Sequence, residues 1–207
     1  MKTEVILARF FSVVLHPLII PTLGIIILFR LNTYIGFAVA EQAKRFILIM
    51  VFVNTAVAPA LATVLLKRSG VIKNVLLDER GERLFPLLMS ALFYILTYYL
   101  LKQITLPSLI YYFVIGATLL VLICLIITFR WKISIHMMSM GGMTGFLIAA
   151  SMLLRTDITV LIMLAILLSG FLGASRIRLN AHTPSQVYTG YVLGLVVMLV
   201  LYTYLRV

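Results

Sequence analysis

Acidic residues are scarce in this sequence: six Asp and Glu stand among 207 residues, against 17 Lys and Arg. Three of the six are Glu4, Glu41 and Asp157, and the others form one group at positions 78, 79 and 82. Magnesium and calcium take oxygen ligands, so their sites usually contain carboxylates, and no two Asp residues stand at helical spacing. This absence argues against the polyprenyl transferases and the CDP-alcohol transferases, which need such acids, and we expect neither a metal nor another cofactor.

Cysteine is nearly absent as well, and a soluble basic domain is missing. Cys124 is the single cysteine and lies in an apolar run, which excludes a disulfide framework and favours a small buried side chain. The net charge of +11 could suggest nucleic acid, but the basic residues fall between apolar stretches, where anionic lipid headgroups are the expected partners. No small-residue cleavage site closes the first apolar stretch, so we expect a retained anchor.

What the sequence does have is apolar length. Hydrophobic residues make up 63% of the chain and charged residues 11%, whereas soluble domains contain about 25% charged residues. Seven apolar stretches approach the roughly 20 residues that cross a bilayer core; they cover 5–29, 46–66, 84–101, 106–129, 137–154, 157–173 and 187–205. The first contains Pro17 and Pro21, which lack backbone donors, and is either a kinked span or an interfacial helix followed by a re-entrant piece. The composition predicts an all-α, polytopic transmembrane helix bundle of six or seven spans.

The order of the spans places three basic loops on one face of the membrane. Two spans separate loop 67–83 from loop 130–136, and two more separate that loop from 174–186. An excess of Lys and Arg normally marks the cytoplasmic face. Residues that bind a substrate would bias such a count, so charge alone leaves the orientation open.

Two of the later spans carry glycines at spacings that place small residues on one helix face. They are Gly141 and Gly145 in one span, and Gly190 and Gly194 in the other. Small residues at this spacing predict close packing of helices.

The first two loops each offer polar residues with two interpretations. Lys73 and Arg80 are seven residues apart, so two helical turns would point both the same way. Alternatively, this is a solvated loop in which the neighbouring acids pair with these bases. Ser134 and His136 stand where a span begins. His136 is either a packed or headgroup-facing residue or an imidazolium that protonates a departing alkoxide.

The third loop combines cationic, hydroxyl and imidazole groups without an acid: Ser175, Arg176, His182 and Gln186 are its polar residues of interest. Arginine supplies planar donors to phosphate oxygens, and a nearby imidazole can act as a nucleophile. The segment 183–186 reads Thr-Pro-Ser-Gln, a helix capping box with proline at the first helical position. His182 therefore stands beside a helix N-terminus, where a bound anion is favoured.

Together the three loops resemble the type 2 phosphatidic acid phosphatase (PAP2) superfamily, which includes membrane lipid phosphatases, related acid phosphatases and haloperoxidases. The family pattern is Lys, six residues, Arg-Pro; then Pro-Ser-Gly-His; then Ser-Arg, five residues, His, three residues, Asp. The order, the internal spacings and the two-span separations match over about residues 67–200. The resemblance implies a five-span core at 67–207 that carries the motifs, preceded by membrane segments at 1–66.

The resemblance also implies a role for each motif residue. The residues that would hold the phosphate oxygens are Lys73, Arg80, Ser134, Ser175 and Arg176. His182 would attack phosphorus to give a phosphohistidine, and His136 would protonate the leaving group. Gln186 occupies the position of the family Asp, which orients the nucleophilic histidine. Phosphoryl transfer depends mostly on positioning and on cationic groups around the phosphate, so these residues would need no metal.

Four family positions differ in this chain, where Gly81, Ile133, Ile135 and Gln186 replace Pro, Pro, Gly and Asp. Ile135 lacks the backbone freedom of glycine. Gln186 can accept a hydrogen bond from a ring N–H, but it brings no negative charge. These two differences leave open whether the chain turns over a substrate.

We expect a membrane lipid phosphatase that hydrolyses a phosphomonoester or pyrophosphate on a lipid headgroup, with the lipid entering from the bilayer. The alternative is a catalytically impaired relative that binds or carries a phosphate-bearing lipid without turnover. An unrelated channel or transporter is a weaker alternative, because few polar residues besides Asn54 lie in mid-span. The resemblance implies an integral protein of the bacterial cytoplasmic membrane with its active face outside the cytoplasm, and no nucleic-acid partner is expected.

Overall fold

The computed structural model describes residues 2–75, 77 and 79–204, and it is all-α over these residues. Six helical segments within this part of the chain are long and apolar enough to cross a membrane: Glu41–Arg68, Gly81–Lys102, Ser108–Thr128, Ile135–Leu154, Thr159–Arg178 and Pro184–Tyr204. The predicted fold class is thereby confirmed, as a polytopic helix bundle of a multi-pass membrane protein.

Ten α-helices follow one another along the described residues: α1 Lys2–Val14, α2 Ile20–Arg30, α3 Tyr34–Ala38, α4 Glu41–Phe52, α5 Ala58–Arg68, α6 Leu84–Lys102, α7 Ser108–Thr128, α8 Ile135–Leu154, α9 Thr159–Arg178 and α10 Pro184–Tyr204. A π-helical segment at Val53–Val57 joins α4 to α5, so these two helices form one continuous span. A 3₁₀ turn at Gly81–Arg83 precedes α6.

The first apolar stretch is broken in the middle. α1 has 13 residues and α2 has 11, so each is shorter than the roughly 20 residues that a crossing helix needs. Between them the chain turns, with the His16 N–H donating to the Val13 carbonyl at 3.3 Å and the Ile19 N–H to the His16 carbonyl at 2.9 Å. Pro17 has no N–H to continue the helical ladder. The proline accounts for the end of α1 at this point.

The chain divides into two compact units. The first comprises Met1–Ile20 together with Lys132–Val207, and the second comprises Pro21–Trp131. The first unit thus contains α1 and α8–α10, and the second contains α3–α7 with nearly all of α2. The division expected from the motifs, 1–66 and 67–207, concerns which spans carry the site and stays a prediction.

In the second unit, α6 lies against α7 and is also contacted by α4, α5 and the π-helical segment. α2 approaches α7 at Gly24, where an added Cβ atom would overlap the ring of Phe113. A larger residue at position 24 would therefore require the Phe113 ring to move.

In the first unit, α8 and α10 make the most extensive helix contact, and α9 lies against both of them and against α1. At the glycines, the backbones of α8 and α10 are in direct contact. A Cβ atom on Gly145 would lie 2.6 Å from the Leu195 carbonyl oxygen, and one on Gly190 would lie 2.8 Å from the Ser134 carbonyl oxygen. The close helix packing predicted from these glycines is confirmed, because no side chain fits between the two backbones.

We expect Gly145→Ala to destabilise the protein by about 1–3 kcal/mol, because the new methyl group meets a backbone carbonyl that cannot move aside. Gly170→Ala is the matched control, since a Cβ atom on Gly170 in α9 would meet nothing within 4 Å. Thermal unfolding in detergent micelles compares the two variants. Equal melting temperatures for both would contradict the tight α8–α10 contact.

Candidate functional site

A short turn between α9 and α10 carries Arg176 and His182. Asn180, the second residue beyond α9, has a left-handed backbone with φ 52°. The N–H of the next residue, Ala181, donates to the Arg176 carbonyl at 3.1 Å. The Asn180 N–H donates to the Ile177 carbonyl at 2.9 Å. This is the Schellman arrangement, and Asn adopts the left-handed conformation more readily than most residues. The local backbone therefore fixes the spacing between the guanidinium and the imidazole.

α10 begins with the capping box that the sequence predicts. Pro184 is its first helical residue. Gln186 Oε1 accepts from the Thr183 N–H at 3.2 Å, and the Gln186 N–H lies 3.5 Å from Thr183 Oγ1. These reciprocal contacts satisfy backbone donors that a helix N-terminus otherwise leaves unpaired.

The same amide oxygen holds His182. The imidazole Nδ1 lies 3.1 Å from Gln186 Oε1, and His182 is only 6% exposed. Because this amide atom also accepts from the Thr183 N–H, it is the oxygen end of the amide, and His182 Nδ1 carries the proton. The other ring nitrogen, Nε2, then carries the lone pair that a nucleophile needs. Gln186 thus orients the ring while adding no charge.

Ser134 immediately precedes α8 and connects it to α10. Its N–H donates to the Gln186 carbonyl oxygen at 3.3 Å, and its carbonyl accepts from the Met138 N–H at 2.9 Å. The Ser134 side chain is fully buried, and its hydroxyl has no hydrogen-bond partner among the described residues. Leaving a buried hydroxyl unpaired costs about 1–3 kcal/mol, so Ser134 is a candidate donor to a ligand.

His136 lies in the first turn of α8 and contacts the end of α1. Its Nε2 is 3.2 Å from the Ser12 carbonyl oxygen, and because a carbonyl only accepts, Nε2 is the protonated nitrogen. The Ser12 hydroxyl accepts from Arg176 Nη1 at 3.4 Å. Ser12 thus links His136 to Arg176, and the bond from the Ser134 N–H to the Gln186 carbonyl brings the turn of His182 against the start of α8. The three motif residues His136, Arg176 and His182 therefore form one cluster in the first unit.

Ser175 is buried beside Arg176, but its hydroxyl is engaged within its own helix. Ser175 Oγ donates to the Phe171 carbonyl at 2.7 Å, a bond that serine commonly makes to the carbonyl four residues earlier. The single hydroxyl proton is thereby used. A role for Ser175 as a phosphate ligand stays a prediction from the resemblance alone.

Two residues of the cluster, Ser12 and His16, lie outside the three sequence motifs. The His16 ring packs edge to face on His136, with ring centroids 5.2 Å apart and planes at 82°. All three histidines of the chain therefore belong to the first unit. In the sequence, His16 is marked only by its position next to Pro17 in an apolar stretch, and that pattern predicts an interruption of the span rather than a site.

Lys73 and Arg80 belong to the second unit, and each forms hydrogen bonds or ion pairs with residues of that unit. Lys73 Nζ forms an ion pair with Glu79 Oε1 at 3.3 Å, and the Lys73 N–H donates to Glu82 Oε1 at 2.7 Å. Arg80 Nη1 donates to the carbonyl of Arg130 at 2.6 Å. The contacts of Lys73 are those of a charge-mixed loop, whereas the contact of Arg80 joins loop 67–83 to loop 130–136. The third acid of the loop, at position 78, lies outside the described residues.

An apolar cleft of about 910 Å³ opens in the first unit between α1, α8, α9 and α10. Met137, Ser175 and Val187 line it. In the sequence, Met137 follows His136, Ser175 precedes Arg176, and Val187 follows Gln186, the partner of His182. At its rim, Arg178 Nη2 pairs with Glu4 Oε2 at 2.5 Å. The cleft is therefore an apolar space in the same unit as the polar cluster, and the residues of the cluster are not among those that line it.

Among the described residues, no group of three or more His, Cys, Asp or Glu side chains is placed to hold a metal ion. The described cluster instead contains one guanidinium and three imidazoles, and the unpaired hydroxyl of Ser134 lies two residues before His136. Such groups can donate hydrogen bonds to an oxyanion, and an imidazole can attack or transfer a proton.

Comparisons with protein-family models, with curated proteins and with solved structures found no match to this chain.

We expect Gln186→Ala to lower the free energy of unfolding by about 1–2 kcal/mol, because it removes a helix cap and the acceptor of a buried imidazole N–H. Ser185→Ala, an exposed residue of the same turn, is the control and should change stability by less than about 0.5 kcal/mol. Unfolding by SDS titration in mixed micelles measures both. If the two variants are equally stable, Gln186 does not hold the turn.

Proposed function

We propose that this protein is a membrane lipid phosphatase that hydrolyses a phosphomonoester or pyrophosphate on a lipid headgroup through a phosphohistidine intermediate. The observation that carries the proposal is the cluster of His182, Arg176 and His136 in one unit, with His182 Nδ1 held at 3.1 Å by Gln186. The spacing of the three sequence motifs supports it independently.

The proposed reaction has two steps. In the first, the His182 Nε2 lone pair attacks phosphorus, an N–P bond forms, and the bond from phosphorus to the leaving oxygen breaks. His136, as an imidazolium whose Nε2–H stays on the Ser12 carbonyl, gives that oxygen the proton of Nδ1 and becomes neutral. In the second, water attacks phosphorus, His136 takes the proton of the water, and the N–P bond breaks to release phosphate and neutral His182. Arg176 would neutralise charge on the phosphate oxygens throughout.

Two features favour an anion next to His182. One is Arg176 in the last turn of α9, and the other is the N-terminus of α10. The free N–H groups and the positive end of a helix stabilise negative charge, and His182 directly precedes the capping residue Thr183. Lys73 and Arg80 enter the proposal from the sequence resemblance, as further phosphate ligands.

The substrate is proposed to be a lipid that reaches the site from the bilayer. The apolar cleft lined by Met137, Ser175 and Val187 supports this, because it offers space for hydrocarbon in the same unit as the polar cluster. Phosphatidic acid, phosphatidylglycerol phosphate, isoprenoid phosphates or pyrophosphates and lipid A phosphates are the classes to compare. By resemblance, we place the protein in the bacterial cytoplasmic membrane with the site outside the cytoplasm.

A second candidate function is a protein that binds or carries a phosphate-bearing lipid without turnover. The specific observation that favours it is the neutral partner of His182. An amide orients the ring but stabilises the positive charge that develops on attack less than a carboxylate would. Ile135, the first residue of α8, replaces the family glycine and likewise favours binding without turnover.

We expect the purified protein in nanodiscs to release inorganic phosphate from at least one lipid of this panel. His182→Ala should reduce the rate by about 10³-fold or more, because the nucleophile is lost. Acid-labile, base-stable ³²P on the wild-type protein, absent from the variant, would identify the phosphohistidine. Headgroup binding without phosphate release from any lipid would instead support the carrier.

Substituting two buried serines distinguishes a hydroxyl that binds the substrate from one that bonds within its own helix. We expect Ser134→Ala to lower kcat/KM by about tenfold, the effect of one hydrogen bond to a charged group, because its hydroxyl is unpaired among the described residues. Ser175→Ala should change kcat/KM by less than about threefold, since the Ser175 hydroxyl donates to Phe171. Steady-state kinetics on the preferred lipid measure both. The reverse order of effects would remove Ser134 from the site.

A further inference from the structure

The end of α1 contributes a carbonyl group to the cluster. In a continuing helix, the Ser12 carbonyl would accept from the N–H of residue 16, but the His16 N–H donates to Val13 instead. The last carbonyls of a helix need partners from outside it, and His136 Nε2 supplies one to Ser12. The break after α1 therefore leaves the Ser12 carbonyl available to a residue of the proposed site.

The side chain of His16 has a defined protonation pattern. The Leu18 N–H donates to His16 Nδ1 at 3.3 Å, so Nδ1 is an acceptor and the ring proton is on Nε2. Burial and the positive charge of Arg176 lower the pKa of His16. The ring is therefore neutral at pH 7 and presents one N–H donor.

A phosphate in the proposed site has several oxygens and can accept hydrogen bonds from more groups than the guanidinium of Arg176. A phosphate monoester carries nearly two negative charges at neutral pH, and the guanidinium of the cluster is that of Arg176. Arg176 Nη1 donates to the hydroxyl of Ser12, one helical turn before His16, and the His16 ring contacts His136. A phosphate oxygen held by Arg176 would thus lie next to a third imidazole.

We infer that His16 is a phosphate-binding residue of this site, which donates its Nε2–H to an oxygen of the substrate phosphate. The end of α1 is then part of the binding site, with the Ser12 carbonyl positioning His136. This inference rests on the proposed function and adds a residue that the three motifs do not contain.

Two substitutions separate binding from packing at position 16. His16→Phe keeps a flat ring against His136 and removes the N–H donor, whereas His16→Gln keeps an N–H donor and removes the ring. The full-length protein in nanodiscs is titrated with inorganic phosphate by calorimetry, and KM and kcat are measured on the preferred lipid.

We expect His16→Phe to weaken phosphate binding and raise KM by about tenfold, as for one hydrogen bond to a charged acceptor, with a smaller change in kcat. His16→Gln should stay within about threefold of the wild type. The inference is overturned if His16→Phe binds phosphate like the wild type, because a ring alone would then suffice. His16→Asn and His16→Leu, which are similar in size and differ in the donor, give the same comparison if the first pair does not fold.

His182→Ala separates this inference from the proposed function. It should lose turnover and still bind inorganic phosphate, because Arg176 and His16 remain. If the wild type releases phosphate from lipids and His16→Phe matches it in KM and phosphate affinity, only the inference fails. If the wild type neither binds phosphate nor hydrolyses any lipid of the panel, the proposed function fails and the inference with it.

Discussion

The close approach of α8 and α10 is the constraint on which the arrangement of the first unit depends. Gly190 and Gly194 bring the backbone of α10 against that of α8, with the Gly190 position facing the Ser134 carbonyl oxygen. The contact continues to the end of the two helices, where the Ser134 N–H bonds to the Gln186 carbonyl. The histidines at the starts of α8 and α10 are therefore held by backbone contacts, which vary less than contacts between long side chains.

Each of the two motif histidines is oriented by one neutral oxygen. Gln186 Oε1 accepts from His182 Nδ1, and the Ser12 carbonyl accepts from His136 Nε2. In each ring this fixes which nitrogen holds the proton and leaves the other for chemistry. Gln186 also caps α10, so stability and orientation depend on the same side chain. Neither oxygen carries a full negative charge, which distinguishes this arrangement from histidines paired with carboxylates.

Local motifs in this chain were predictable from sequence, whereas contacts between distant segments were not. The capping box at 183–186 and the glycine contacts of α8 with α10 follow from short spacings, and the structure confirms both. Six of the long apolar stretches form helices, and most ends of these helices lie within about one turn of the predicted bounds. The contacts of Ser12 with His136 and Arg176 join residues more than 100 positions apart, and no local pattern encodes them. For Ser175, a local motif predicts a phosphate ligand, but the motif does not reveal that the hydroxyl bonds to the Phe171 carbonyl of its own helix.

The place of α1 in the chain has a consequence for how the protein is made. α1 is synthesised first, but α8, α9 and α10, with which it shares a compact unit, follow only after residues 21–131. At a translation rate of roughly 5–20 residues per second, this separation lasts on the order of 10 s. During that time Ser12 and His16 lack the residues that contact them in the finished protein. Assembly of the histidine cluster therefore has to wait until residues 21–131 have been synthesised, and a chain that stops before α8 cannot form it.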